Sequence, residues 1–142
     1  MNKLSEVTIC LKEKGAVYSP HSLTNPDEIV KFMQSYIGDL ASEEFVYINL
    51  DAQLRPINFI SFTGGIDACV FDIKAILKSV LLSNAKFGMM FHNHPSGNDT
   101  PSKQDIDTTH KLKQFLGMLD IDLLDHVIYG SKVISLNREG LM

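Results

Sequence analysis

The sequence has few cysteines, no CxxC pair and no long apolar run, and each of these shortages excludes a class of protein. Only two cysteines, Cys10 and Cys69, occur in 142 residues, so nothing suggests a thiolate metal site or a redox motif. Both are expected to be reduced, small apolar residues, as in a cytoplasmic protein. The apolar stretches are only a few residues long, whereas a membrane span needs about 20.

Positive charge is also scarce. Lysine and arginine total 13 against 17 aspartates and glutamates, which gives a formal net charge of −4. The strong positive field used in non-specific phosphate binding is therefore missing, and nucleic acid is not favoured as a partner. Charged residues are scattered through the first 15 positions, so these residues do not resemble a signal peptide.

The length and the 44% hydrophobic content are enough for one domain with its own core. No low-complexity tract, internal repeat or block of charge interrupts the chain. We therefore expect residues 1–142 to form a single domain.

Apolar spacing and turn residues predict that strands and helices alternate. Asn25 is a good helix N-cap, Pro26 suits the first helical position, and the acidic residues that follow favour a helix start. The pattern predicts strands at 6–11, 45–50, 56–62, 86–91, 122–130 and 132–136, and helices at 26–40, 70–84 and 102–119. The expected class is α/β or α+β with a central sheet.

The residues that suggest chemistry are concentrated after the strand at 86–91. His92 and His94 are two positions apart, so on an extended strand end both imidazoles can point to one side. Asp105 falls in the first turn of the next helix, and the intervening Gly/Pro loop can bring its carboxylate to the same point. Two histidines and one carboxylate, with a water in the fourth position, are typical of a catalytic zinc site.

Each part of this pattern has a simpler interpretation. Histidines at strand ends are often surface residues, and Ser102 with Asp105 fits a helix capping box. Asp99 and Asp107 are rival ligands, which we interpret as a loop residue and a solvated helix residue. The simpler interpretations do not explain why all these features occur together.

A catalytic zinc site also needs a group that moves protons. Glu43 and Glu44 stand before the strand at 45–50, and either could serve. Spacing within this one sequence does not choose between them, and most such glutamates are only solvated charges.

The arrangement resembles the JAMM (JAB/MPN) metalloprotease motif, in which a glutamate precedes His-x-His, seven residues, Ser, two residues and Asp. The runs 92–97 and 101–105 have this spacing and look most like the RadC-type branch of JAB domains. Supporting segments are found at 43–51, 62–67, 84–85 and 124–126.

The resemblance implies a deaminase-like α/β sandwich with three layers and a curved mixed sheet. It also implies a zinc-dependent hydrolase that cleaves peptide or isopeptide bonds. His92, His94 and Asp105 would be zinc ligands, Glu43 the general base and acid, and Ser102 a hydrogen-bond donor to the developing oxyanion. The family position selects Glu43 over Glu44.

Two departures limit what the resemblance implies. The chain has no helix-hairpin-helix region of the kind that many RadC proteins carry, so it is expected to be the JAB domain alone. Asn93 replaces the Ser or Thr found between the histidines of eukaryotic JAMM peptidases. The alternatives are a non-catalytic, zinc-stabilised protein-binding module and a nuclease or repair protein associated with mobile DNA.

The expected partner is a peptide or protein substrate, without a membrane, and the sequence leaves open whether the active form is a homodimer. Of the other histidines, His126 is expected to be a hydrogen-bonded core residue, with a supporting role beside the ligands as the alternative. His110 is expected to be exposed, and His21 is assigned no role.

Overall fold

The computed structural model describes residues 2–13, 22–37, 42–64 and 73–142. These residues form three helices and a mixed five-stranded sheet. No helix in this part of the chain combines the length and apolar character needed to cross a membrane. In chain order the elements are α1 (Pro26–Ile37), β1 (Glu44–Leu50), β2 (Pro56–Thr63), α2 (Ile73–Ser83), β3 (Phe87–Asn93), α3 (Lys103–Gly117), β4 (Asp122–Tyr129) and β5 (Val133–Ser135).

Helix α1 starts where the capping residues predict. The Asn25 side chain accepts a hydrogen bond of 3.0 Å from the Glu28 amide, and the Glu28 carboxylate accepts one of 2.9 Å from the Thr24 amide. These two contacts satisfy amides around the first turn that lack a partner within the helix. Positions 38–40 of this predicted helix, and positions 70–72 of the next one, lie outside the described residues.

The strand order is β2-β1-β3-β4-β5, and β3 and β4 are the parallel pair. Strand β1 pairs antiparallel with both β2 and β3, and β5 pairs antiparallel with β4. Parallel neighbours need a crossover connection, which α3 provides. The first turn of α3 therefore lies near the carboxyl end of β3, where His92 is found.

The sheet lies between helices on its two faces. On one face, α1 packs against Val46, Ile48 and Leu50 of β1. On the other, α2 and α3 pack against Phe45 and Tyr47, which alternate with those residues along the same strand. This three-layer arrangement confirms the predicted α/β class.

Residues 2–13 form neither a helix nor a strand, so the strand predicted at 6–11 is wrong. Val7 and Ile9 are 75% and 72% exposed, and Cys10 is a free and exposed thiol. An alternating segment becomes a strand only when another strand pairs with it, and the sheet of the described residues ends at β2 and β5. Cys69 lies outside those residues.

Tyr47 has a fully buried hydroxyl to which no described residue forms a hydrogen bond. Burial raises the pKa of this phenol above its ordinary value. The space for the hydroxyl exists because residue 88 is glycine, since a Cβ there would lie 2.0 Å from the Tyr47 oxygen.

Replacing Tyr47 with phenylalanine should raise the free energy of unfolding by about 1 kcal/mol, because a buried hydroxyl without a partner costs about 1–3 kcal/mol. Urea unfolding measures the change. The half-buried Tyr129, changed in the same way, is the control. A loss of stability in Tyr47→Phe would contradict the prediction.

Candidate metal centre

Three side chains from two elements and a loop converge at the carboxyl end of β3. His92 Nε2 lies 2.7 Å from His94 Nε2 and 3.5 Å from Asp105 Oδ1, and His94 Nε2 lies 3.7 Å from Asp105 Oδ2. One potential ligand atom from each residue lies within 4.8 Å of the other two. The sequence predicted that these three groups meet, and the structure brings them together. Strand β3 ends at Asn93, two residues beyond the end predicted for it at 91, so His92 belongs to the strand itself.

Asp105 is placed by the first turn of α3. Ser102 is the N-cap, its hydroxyl oxygen accepts a 3.0 Å hydrogen bond from the Asp105 amide, and Asp105 Oδ2 accepts one of 2.8 Å from the Ser102 amide. The capping box proposed as the simpler interpretation is therefore present. It also holds the carboxylate beside the two histidines, so the two interpretations describe the same residues.

His94 is fixed at its backbone and at its ring. Its amide donates a 2.7 Å hydrogen bond to the Tyr129 carbonyl, and Nδ1 lies 2.8 Å from the Asn98 carbonyl oxygen. Because a carbonyl only accepts, Nδ1 carries the hydrogen. A neutral His94 therefore presents an unprotonated Nε2 to His92 and Asp105.

The loop that supplies the Asn98 carbonyl is attached to the turn between β4 and β5. The Asp99 carboxylate accepts hydrogen bonds from the Ser131 hydroxyl and, at 2.8 Å, from the Lys132 amide. These bonds lower the pKa of Asp99. At Gly130 a Cβ would lie 2.7 Å from the Asn98 oxygen, so only glycine permits this approach. Asp99 thus holds the loop and is not part of the cluster, as the sequence predicts.

The cluster fits a divalent metal ion. His92 is only 2% exposed, and burial lowers its pKa to about 4, which keeps the imidazole neutral. Asp105 is 3% exposed and, in the described part of the chain, contacts no lysine or arginine in an ion pair. A buried carboxylate needs a compensating cation, and neutral imidazole nitrogens with a carboxylate oxygen are ligands that divalent metals accept.

Glu43, Ser102 and the three cluster residues line a single cavity of about 170 Å³. Glu44 does not line it, because its carboxylate accepts a 2.8 Å hydrogen bond from the Thr63 hydroxyl on β2. The structure therefore places at the cavity the glutamate that the family position selects. The catalytic roles of Glu43 and Ser102 remain predictions.

Asn93, between the two histidines, holds the backbone on both sides of Glu43. Its Oδ1 accepts a 2.7 Å hydrogen bond from the Glu44 amide, and its Nδ2 donates one of 3.1 Å to the Ser42 carbonyl. Sequence reasoning treated Asn93 only as a departure from a motif. The available signal was a polar residue at the end of an apolar strand, but the contact depends on the pairing of β1 with β3.

Under the metal-dependent hydrolysis that the JAMM resemblance implies, replacing Asn93 with alanine should leave metal binding nearly unchanged and slow the reaction about 10–100-fold, because small displacements of a catalytic group are costly. Bound metal and the rate on a cleaved peptide would be measured together. Asn137→Ala, an exposed position outside the cavity lining, is the control. Wild-type rates in Asn93→Ala would contradict the positioning role.

His126 is fully buried and hydrogen-bonded, as predicted, and it also contacts a member of the cluster. Its Nε2 lies 2.7 Å from His92 Nδ1, and its Nδ1 lies 2.7 Å from the Thr109 hydroxyl. Burial holds its pKa well below the ordinary value. His110 is exposed as expected, near the Leu141 carbonyl, and His21 lies outside the described residues.

Comparisons with known proteins identify the family of this chain. The family model of the RadC-like JAB domain matches residues 23–141. A UPF0758 protein of Vibrio cholerae is 37% identical over 120 residues, which cover 84% of this chain and 76% of that protein. UPF0758 proteins of Pseudomonas syringae pv. tomato and Marinobacter nauticus are 37% and 38% identical over 85% and 84% of this chain. The chain spans only 55% and 54% of the length of these two relatives. With its mixed five-stranded sheet between helices and its His-His-Asp cluster, the chain belongs to the RadC-like JAB domain family, which has the MPN fold.

Proposed function

We propose that this chain is a zinc-dependent hydrolase of the JAMM type that cleaves a peptide or isopeptide bond. The observation that carries the proposal is the convergence of His92, His94 and Asp105 at a cavity that Glu43 and Ser102 also line. The elements of a hydrolytic site, namely metal ligands, a proton carrier and a hydrogen-bond donor, are then in one place.

Zinc is the proposed ion because two imidazoles and one carboxylate form the protein part of many catalytic zinc sites. His92, His94 and Asp105 would hold it. When bound, zinc supplies a Lewis acid that lowers the pKa of a water molecule and polarises a carbonyl oxygen.

Glu43 is proposed to take a proton from the attacking water. The water oxygen then bonds to the amide carbon, and the carbon–nitrogen bond breaks as Glu43 returns the proton to the leaving nitrogen. The products are a carboxylic acid and an amine, so atoms and charge balance without another reactant.

Ser102 is proposed to stabilise the charge on the amide oxygen. In the capping box its oxygen accepts a hydrogen bond from the Asp105 amide, which leaves the hydroxyl hydrogen for a second contact. A donor placed at a developing oxyanion contributes about 3–4 kcal/mol in other enzymes.

The cavity lining supports an amide substrate over an apolar one. Besides the residues already named, Ser96, Asn98 and Thr100 line it, so every lining residue is polar or charged. Such a wall offers hydrogen bonds to main-chain amides and no apolar pocket for a side chain.

Profiling with a peptide mixture derived from a proteome tests the proposal. New peptide termini should appear with the zinc-loaded protein, disappear when a chelator removes the metal, and return when zinc is added. A protein that binds zinc but gives no zinc-dependent cleavage would contradict hydrolysis and favour the zinc-stabilised binding module.

A further inference from the structure

The ring of His92 is connected to the backbone of Asp105 through two buried side chains that the proposed mechanism does not use. Thr109 Oγ1 lies 2.6 Å from the Asp105 carbonyl oxygen and 2.7 Å from His126 Nδ1, and His126 Nε2 lies 2.7 Å from His92 Nδ1. These three contacts therefore link two of the three cluster residues, His92 and Asp105.

The first of these contacts fixes the position of every hydrogen in the series of hydrogen bonds. Two oxygens 2.6 Å apart must share a hydrogen, and the Asp105 carbonyl has none, so the Thr109 hydroxyl donates. Thr109 has no second hydrogen. Its oxygen must therefore accept from His126 Nδ1, which carries the ring hydrogen of His126.

The same count of hydrogens then fixes the tautomer of His92. A neutral His126 has used its single ring hydrogen on Nδ1, so its Nε2 accepts. The hydrogen between the two rings must come from His92 Nδ1. His92 Nε2 is left with a lone pair directed at His94 and Asp105.

We propose that Thr109 and His126 are positioning residues that fix the tautomer of His92, so that its Nε2 faces the metal unprotonated. The Asn98 carbonyl fixes His94 in the same tautomer, so neither ring offers a hydrogen to the 2.7 Å contact between the two Nε2 atoms, and a cation that accepts both lone pairs would satisfy them. This inference rests on the proposed metal site, but its first test needs no metal.

Burial makes the chain of contacts effective. Thr109 and His126 are fully buried, and the Phe45 ring packs against His92 and edge-on against His126, with ring centres 6.3 and 6.0 Å apart. Water is therefore kept from replacing any of the three hydrogen bonds. Outer partners of this kind set the orientation and tautomer of metal-binding histidines.

The first test is ¹⁵N NMR of the metal-free wild-type protein at neutral pH. His92 and His126 should both carry their hydrogen on Nδ1. A hydrogen found on Nε2 of His126, with Nδ1 bare, would overturn the inference. In Thr109→Val, which removes the acceptor oxygen, the tautomer signals of His126 should change, whereas a purely structural role of Thr109 would leave them as they are.

The second test is the dissociation constant for zinc, measured by competition with a chelator. Thr109→Val should weaken binding about 10–100-fold. Thr109→Ser, which keeps the hydroxyl, should restore it to within a few-fold of wild type. Thr108→Val, the same change at the neighbouring half-buried position of α3, should have little effect. Wild-type zinc affinity in a folded Thr109→Val protein would overturn the inference.

The two proposals fail separately. A wild-type protein that binds no zinc but shows the expected tautomers would overturn the proposed function and leave intact the role of Thr109 and His126 in fixing the tautomer of His92. A wild-type protein that binds and uses zinc while His92 carries its hydrogen on Nε2 before loading would overturn only the positioning role.

Discussion

Replacing His94 with alanine should remove nearly all of the zinc that purifies with the protein. The wild type should contain about one zinc per chain, because His92, His94 and Asp105 are the three protein ligands of the proposed site. With His94 gone, only one imidazole and one carboxylate remain. The loss of affinity should exceed the roughly 10–100-fold cost of removing an outer partner. Elemental analysis of the purified proteins measures it.

His110→Ala is the matched control, since this histidine is exposed on α3 and outside the cluster. It should keep the wild-type metal content. The same pair of variants gives a second readout, because a ligand that binds only the folded state stabilises it. A chelator should lower the melting temperature of the wild type and of His110→Ala but not of His94→Ala. Equal zinc in His94→Ala and the wild type would contradict the metal centre.

Replacing Glu43 with glutamine should abolish most turnover while zinc stays bound. The amide keeps the size of the side chain but accepts no proton at neutral pH, and a positioned acid or base contributes about 100–10,000-fold to a rate. Rates would be measured on a peptide identified by profiling, with the zinc content determined on the same samples.

Glu44→Gln is the matched control, because it removes a negative charge beside Glu43 but leaves Glu43 itself unchanged. The two glutamates are neighbours, but Glu44 is directed to Thr63 and only Glu43 lines the cavity. Glu44→Gln should therefore retain both zinc and turnover. A Glu43→Gln protein as fast as the wild type would show that another group moves the proton.

The sequence predicts those parts of the structure that depend on short-range spacing. The start of α1 follows from Asn25 and Pro26, and the meeting of His92 with His94 follows from strand alternation. The capping box places Asp105 for the same local reason. The predicted strand at 6–11 failed because strand formation needs a partner strand, which local alternation does not supply.

Contacts that depend on strand register could not be predicted. Glu43 and Glu44 are equivalent until β1 pairs with β2 and brings Thr63 to Glu44. His126 meets His92 only because β4 runs parallel to β3. A single sequence does not show which strands pair, so it predicts neither contact. Only the position in the family motif distinguished Glu43 from Glu44, and no sequence feature identified Thr109.

The attachment of the 94–101 loop to the turn between β4 and β5 makes the candidate site sensitive to residues that no motif search would include. Asp99, Gly130 and Ser131 contact neither ion nor substrate in the proposed chemistry, yet they set where the Asn98 carbonyl meets His94. Two proteins with the same glutamate, histidines, serine and aspartate can therefore differ in metal preference because of substitutions in the turn between β4 and β5. Exchanging this turn between relatives would change the metal preference of the site although every residue of the motif is unchanged.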